Sequence, residues 1–400
     1  MIVAASFVLM GVGYTSGLAI AVFLKPLSAE FGWSRGVISA AYFWNMVLAG
    51  ALSPLFGRLS DRFGARPIVT FGASMVGLGL VLSSQVSAPW HLYLTLGLLV
   101  GGFGYGAIAA PLAANVNRWF IRQGGLATGI IYSGVGVGVL LSPIIAERII
   151  TLVGWWQAFL TLGAIAWGLM LPAALILRPV PRASLVEGAV LDARNVQGKT
   201  SEPPSVWWLR AAMFCCCVCM SIPLVHVVAY AADTGMDRLH AASILSTIGA
   251  FAFLGRIGMG FLADRIGGRR TLPICSTLQT SMVATMLVVT NPATLYVAAA
   301  VFGIGYGGII PQYPILCREF YGTQKLGQVF GSVSLFGTVG MGTGGYVGGA
   351  LFDVTGDYTV PFATAVAFGL ANLMFGGYLL VQERRANAAA YATANIKNLL

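Results

Sequence analysis

The chain is 400 residues long, 57% hydrophobic and only 9% charged, with a formal net charge of +10. Soluble domains carry about 25% charged residues, so the composition excludes an ordinary soluble enzyme and points to a bilayer as the surrounding solvent. The surplus of cations is sorted by loop along the chain, which argues against a nucleic-acid partner.

Apolar runs near the ~20 residues needed to cross a bilayer recur twelve times, at 2–24, 36–56, 67–87, 92–116, 126–146, 156–177, 207–232, 241–262, 271–290, 293–316, 327–350 and 360–381. The first has no basic segment before it and is too long for a signal peptide, so it reads as a span. The chain begins almost inside that span, which leaves room for a short native tail ahead of it. Of the 23 Lys and Arg residues, eighteen fall in the even-numbered loops, the centre and the C-terminal tail. Four lie on the other side, Lys25, Arg35, Arg148 and Arg238. By the positive-inside rule both termini face the cytoplasm, and the expected location is a bacterial cytoplasmic (inner) membrane. Trp33, Trp90, Trp155 and Trp156 fall at the outer ends of spans, as an aromatic belt does.

One Lys/Arg residue remains. Arg256 sits within Ala241–Leu262 and is the one Lys, Arg, Asp or Glu that this reading places near mid-membrane. A cation there costs roughly 2.5–3.5 kcal/mol on insertion scales, which makes it a functional-site hypothesis by default. Its simplest counter-charge is an anionic substrate.

A polar, Pro- and Ser-rich segment at 178–205 separates two sets of six spans. The expected organisation is an N-terminal six-helix bundle (1–177), this linker, a C-terminal bundle (206–382) and a cytoplasmic tail (383–400). The halves echo each other. Gly57-Arg-Leu-Ser-Asp-Arg-Phe-Gly-Ala-Arg66 matches Gly260-Phe-Leu-Ala-Asp-Arg-Ile-Gly-Gly-Arg269, Phe103-Gly-Tyr-Gly106 matches Ile304-Gly-Tyr-Gly307, and Gly125 and Gly129 match Gly327 and Gly331. Echoes in the same order at nearly constant spacing signal duplication.

The loop between spans 2 and 3, repeated between spans 8 and 9, resembles the signature loop of the major facilitator superfamily. The resemblance covers essentially the whole chain. It implies an all-α membrane protein of twelve transmembrane helices in two pseudo-symmetric six-helix bundles, with a site near the midplane. Within the loop, Gly57 and Gly64 suit close helix approach and a tight turn, and Asp61 suits a helix cap or a pair with Arg of the adjoining half. Gly57, Asp61, Arg62, Gly260, Asp264 and Arg265 read either as a charge latch on the cytoplasmic side or as topology and capping signals.

Asn117-Arg-Trp-Phe-Ile-Arg-Gln-Gly-Gly-Leu-Ala-Thr-Gly129, running into Ser133-Gly-Val-Gly-Val-Gly138, resembles the span 4–5 junction of monocarboxylate and oxalate/formate carriers. Val22-Phe-Leu-Lys-Pro-Leu-Ser-Ala-Glu-Phe31 is similar to the monocarboxylate group as well. In that comparison Arg256 falls on the arginine that binds carboxylate. Two departures bear on proton coupling: Ala252 stands where the animal carriers have an acid, and Leu18 where they have a lysine.

Helix periodicity puts Gly249, Ala252, Phe253 and Gly260 on the face of Arg256. Small residues there suit either a ligand cavity or close helix packing. Tyr105 and Tyr306, pseudo-equivalent and flanked by glycines, supply a hydroxyl from each half, for a carboxylate or for a backbone carbonyl. Tyr14, Leu18 and Phe253 complete the substrate set. His226 is the one mid-span histidine and the candidate proton carrier, unless it only bridges helices. Asn45 reads as interhelical glue. The cysteines of span 7 match no metal spacing.

The expected function is secondary transport of small monocarboxylates of the lactate/pyruvate class by alternating access, with a co-transported proton as candidate coupling partner. No nucleotide motif is present, and no enzyme activity, cofactor or nucleic-acid partner is expected. The alternative is an oxalate/formate-type antiporter, which would want a second cation. Span 11 contains no Lys, Arg or His, and Gly337 and Gly340 are the positions at which one could be introduced if they face the cavity.

Overall fold

In the computed structural model, the structure describes residues 1–120, 124–178, 206–288, 291–321 and 326–399. Side chains at 117–118, 124–126, 128, 318, 326–328, 379–380 and 382–399 lie outside that description. So do the expected linker from 179 to 205, the side chains of the expected tail, and the echo of Gly125 with Gly327.

Every regular element among the described residues is helical. In chain order the helices are α1 (Ile2–Phe31), α2 (Arg35–Phe63), α3 (Ala65–Ser83), α4 (Pro89–Val116), α5 (Gly124–Val153), α6 (Trp155–Ile176), α7 (Val206–Asp233), α8 (Arg238–Ile266), α9 (Gly268–Met286), α10 (Pro292–Tyr321), α11 (Leu326–Thr355) and α12 (Thr359–Leu399). Ten are long and apolar enough to cross a membrane. The other two, α9 and α11, coincide with expected spans but are diluted by Thr, Ser and Gln or by Gly. The protein is an integral multi-pass membrane protein with twelve transmembrane helices. The last helix runs beyond the expected end of its span at 381, to Leu399.

Packing reproduces the duplication. In the first half α3 packs on α4 and α6, and α1 on α5 and α6; in the second α9 packs on α10 and α12, and α7 on α11 and α12. The halves meet along two seams, α2 against α11 and α5 against α8. A shift of six helices turns one seam into the other, as a twofold axis between repeats requires. The turns between α2 and α3 and between α8 and α9 are one residue each. Gly64 has φ 89° and Gly267 has φ 85°, a region open to glycine at no steric cost. That sharp turn, rather than helix approach, is what the motif glycines at these two positions provide.

α1 is interrupted at Ala19, and α4 is π-helical from Tyr93 to Tyr105. π-helical turns frequently occur at functional sites. Asn45 of α2 donates to the Leu96 carbonyl at 2.6 Å, inside the π segment, so it does bridge helices. Five of the six cysteines are buried and all are free thiols.

Candidate substrate site

Arg256 stands in the middle of α8, on the seam with α5. Its Nη1 is buried and has no hydrogen-bond acceptor among the described residues. The guanidinium carbon lies 5.7 Å from the centroid of the Tyr306 ring on α10, within cation–π range. Opposite it, a Cβ on Gly136 of α5 would come within 2.8 Å of Nη1. Glycine at 136 is therefore what lets the cation lie between the two halves. An unmade hydrogen bond at a buried group costs about 1–3 kcal/mol, and more when the group is charged, so this N–H group is strongly disposed to donate to an anion.

Three tyrosines converge beside it. The Tyr14 and Tyr306 hydroxyls are 3.4 Å apart, one from each half. The Tyr14 and Tyr105 rings meet edge to face at 5.8 Å, and Tyr306 stacks on Phe302. The glycines flanking the matched pair hold it by close packing in both halves. Gly104 and Gly106 close α4 onto Val76 of α3 and Ala49 of α2, while Gly305 and Gly307 close α10 onto Cys275 of α9 and Ala252 of α8. Leu18 is buried one turn beyond Tyr14 on the same face of α1.

The face expected around Arg256 is divided. Gly249 and Phe253 lie with Arg256 against α5, at Leu140 and Gly136. Ala252 is fully buried against Gly303 and Gly307 of α10. Positions four and three residues before Arg256 fall on opposite sides of it at about 100° per residue, so one stripe serves two neighbours. Around Gly57 and Gly260 there is open space, so neither makes a close helix approach in this conformation. Gly337 and Gly340 pack against Met213, Phe214 and Cys217 of α7. They face their own half, so a lysine there would enter a packed interface and not the seam.

The motif charges are solvent-facing. Asp61, Arg62, Asp264 and Arg265 are all exposed, and Arg265 lies 4.2 Å from the ring of Phe261 on its own helix. The opposite end is where ions join the halves. Asp233 of α7 pairs with Lys25 and with Arg35, each at 2.7 Å. Asp353 of α11 accepts from the backbone N–H groups of Arg35 and Gly36 at 2.9 and 2.7 Å, capping α2 from the other half of the molecule. His226 is fully buried and bridges helices: Nε2 is 2.8 Å from the Gly345 carbonyl and Nδ1 is 3.3 Å from the Tyr358 hydroxyl.

Sequence reasoning passed over this ion cluster. Two cations beside spans 1 and 2 and two acids closing spans 7 and 11 were the signal, since their signs differ between the halves. It also passed over Tyr42 of α2, which is buried beside Gly345.

The sequence matches the Major Facilitator Superfamily profile over residues 3–279 and 211–397. It is 33% identical over 323 residues to "Monocarboxylate transporter 13" of Bos taurus, covering 80% of this chain and 74% of that one. It is 29% identical over 385 residues to "Monocarboxylate transporter 11" of Homo sapiens, covering 90% and 79%. Against "Uncharacterized MFS-type transporter YhjX" of Escherichia coli it is 26% identical over 332 residues, covering 77% and 81%. The fold matches the crystal structure of a point mutant of the nucleoside transporter NupG with a TM-score of 0.72 at 13% identity, over 95% of this chain and 100% of that one. At that identity the likeness concerns the fold alone. With a family profile spanning both halves and a relative at one-third identity over most of its length, this chain belongs to the major facilitator superfamily, beside the relatives named monocarboxylate transporters.

Proposed function

We propose that the protein carries small monocarboxylates of the lactate/pyruvate class across a bacterial inner membrane by alternating access. The observation that carries this reading is the buried Arg256 Nη1, unsatisfied among the described residues and set between two halves that each contribute a tyrosine hydroxyl. A carboxylate fits that setting. Guanidinium offers it two parallel N–H donors, and the Tyr14 and Tyr306 hydroxyls, already within reach of each other, can turn to its oxygens. Tyr105, Leu18 and Phe253 frame the rest of a small acid. Binding neutralises a charge that otherwise stays desolvated, which lowers the barrier to moving the halves past one another.

The loop distribution of Lys and Arg puts the motif end and both termini on the cytoplasmic side. The exposed motif charges and the ion-paired opposite end then describe a carrier closed to the outside and open to the cytoplasm. In the other state the halves close at the motif end, with Asp61 and Arg62 of one half meeting Asp264 and Arg265 of the other.

Counterflow in proteoliposomes tests the reading. Internal lactate should drive accumulation of labelled lactate, with pyruvate as an effective competitor. Absence of counterflow with every C2–C4 monocarboxylate would refute it.

A further inference from the structure

A continuous chain of donors and acceptors links the ion cluster to the interior of the second half. Arg35 Nη1 lies 2.7 Å from Asp233 and donates to the Tyr358 hydroxyl oxygen at 2.6 Å. The guanidinium also covers the Phe352 ring at 3.8 Å. Tyr358 then meets His226 Nδ1 at 3.3 Å, and His226 Nε2 meets the Gly345 carbonyl at 2.8 Å. Lys25, Arg35 and Gly36 belong to the first half. Asp233, Asp353, Tyr358, His226 and Gly345 belong to the second.

One assignment of hydrogens satisfies this chain. A guanidinium only donates and a backbone carbonyl only accepts. Arg35 therefore donates to the Tyr358 oxygen, the Tyr358 O–H donates to Nδ1, and Nε2 carries the proton directed at Gly345. His226 is neutral in this arrangement and both its nitrogens are committed. A second proton, on Nδ1, would point a donor at a phenol oxygen already held by Arg35. The Tyr358 O–H would lose its acceptor, and two cations would flank one oxygen.

Opening this end reverses the balance. Arg35 leaves with the first half, while Tyr358 and Asp353 stay beside His226. The phenol oxygen is then free to accept from a protonated Nδ1. Asp353, released from the N–H groups of Arg35 and Gly36, is left as a carboxylate in need of a cation. The charged and titratable groups around His226 are Tyr358 from α12, Asp353 from α11 and Arg35 from α2. Tyr230 of its own helix stands against the Tyr358 ring, and Asp233 and Lys25 lie one contact farther out.

We propose that His226 is the proton site of this gate: a proton on His226 and the Arg35–Tyr358 contact exclude one another, so acid on this side of the membrane favours the open gate. The proton on His226 supplies the positive charge that faces Asp353 once the α2 N–H groups have left it. The inference rests on the alternating-access reading above but on no particular substrate. By linkage, a ligand that binds one state alone shifts the equilibrium toward that state.

The test is a distance measurement by double electron–electron resonance on the full chain, without substrate. Spin labels go on Glu30→Cys and Val354→Cys, both exposed at this end and one in each half. The half-buried Cys215 is replaced by Ala, and the buried native thiols stay. The longer-distance population should grow as pH falls from 7.5 to 5.5, by up to about tenfold per pH unit for one linked proton. His226→Gln should abolish that slope, and so should Tyr358→Phe, which leaves His226 in place and serves if the first variant does not fold. A flat parent profile overturns the proposal. So does a parental slope in His226→Gln, which would assign the response to Asp233 or Asp353. Loss of lactate counterflow would refute the substrate reading and leave this result standing, since no substrate enters the measurement.

Discussion

The Tyr14 and Tyr306 hydroxyls lie 3.4 Å apart across the two halves, beside a guanidinium whose Nη1 has no acceptor among the described residues. In the proposed function each hydroxyl faces the substrate from one side. Tyr14→Phe and Tyr306→Phe should each raise the apparent Kd for lactate about tenfold, since a hydrogen bond to a charged group is worth roughly 1.5–3 kcal/mol. The double variant should fall short of the product of the two, because they address one ligand. Unchanged binding by calorimetry in both single variants would return the tyrosines to structure.

Arg256→Lys should lose most transport although the charge is kept. An ammonium cannot present two parallel donors to a carboxylate, and it would leave the face of Tyr306. Uptake near the parental rate in proteoliposomes would eliminate a bidentate site.

Gly136→Ala examines the same cation from the opposite helix. The added methyl would meet Nη1 at 2.8 Å, and overpacking of this kind costs about 1–3 kcal/mol. We expect at least about a tenfold loss in lactate affinity, roughly 1.4 kcal/mol. Unaltered affinity would mean that Arg256 binds substrate in another rotamer.

The motif charges should matter for turnover more than for binding. Asp61→Asn and Asp264→Asn should slow exchange between the two open states while lactate Kd changes little. Parental turnover together with parental cysteine accessibility in both variants would reduce the loop to a topology and capping signal.

The proposed site offers the cargo one cation, Arg256. Bringing a dianion beside Arg256 leaves one charge uncompensated, and effective penalties for a buried ion are several kcal/mol. Lactate should therefore outcompete oxalate by about a hundredfold or more at neutral pH, since each tenfold step is about 1.4 kcal/mol. Equal competition would favour the antiporter alternative.

The helices and the mid-membrane cation were legible in the sequence because each rests on a local property: twelve apolar runs, and one charge near the middle of one of them. The matched tyrosines were legible through the duplication. The gate was not. Arg35 and Asp353 are 318 positions apart, and no periodicity connects the end of one span to the start of another. The division of the α8 face was also hidden, because a helical wheel gives the angle of Ala252 but not which neighbour stands at that angle. The π-helical stretch of α4 left no mark in composition that separates it from any glycine-rich span.

The polarity of α9 reaches back to how the protein is made. Its Ser276 accepts from Asn372 of α12 at 2.9 Å, and its Gln279 donates to the Cys216 carbonyl of α7 at 3.3 Å. Released alone into lipid, α9 would expose these groups to hydrocarbon, where each unmatched one costs several kcal/mol. One of its partners is synthesised almost a hundred residues later. Until α12 is made, Ser276 lacks the Asn372 partner that it has in the folded protein.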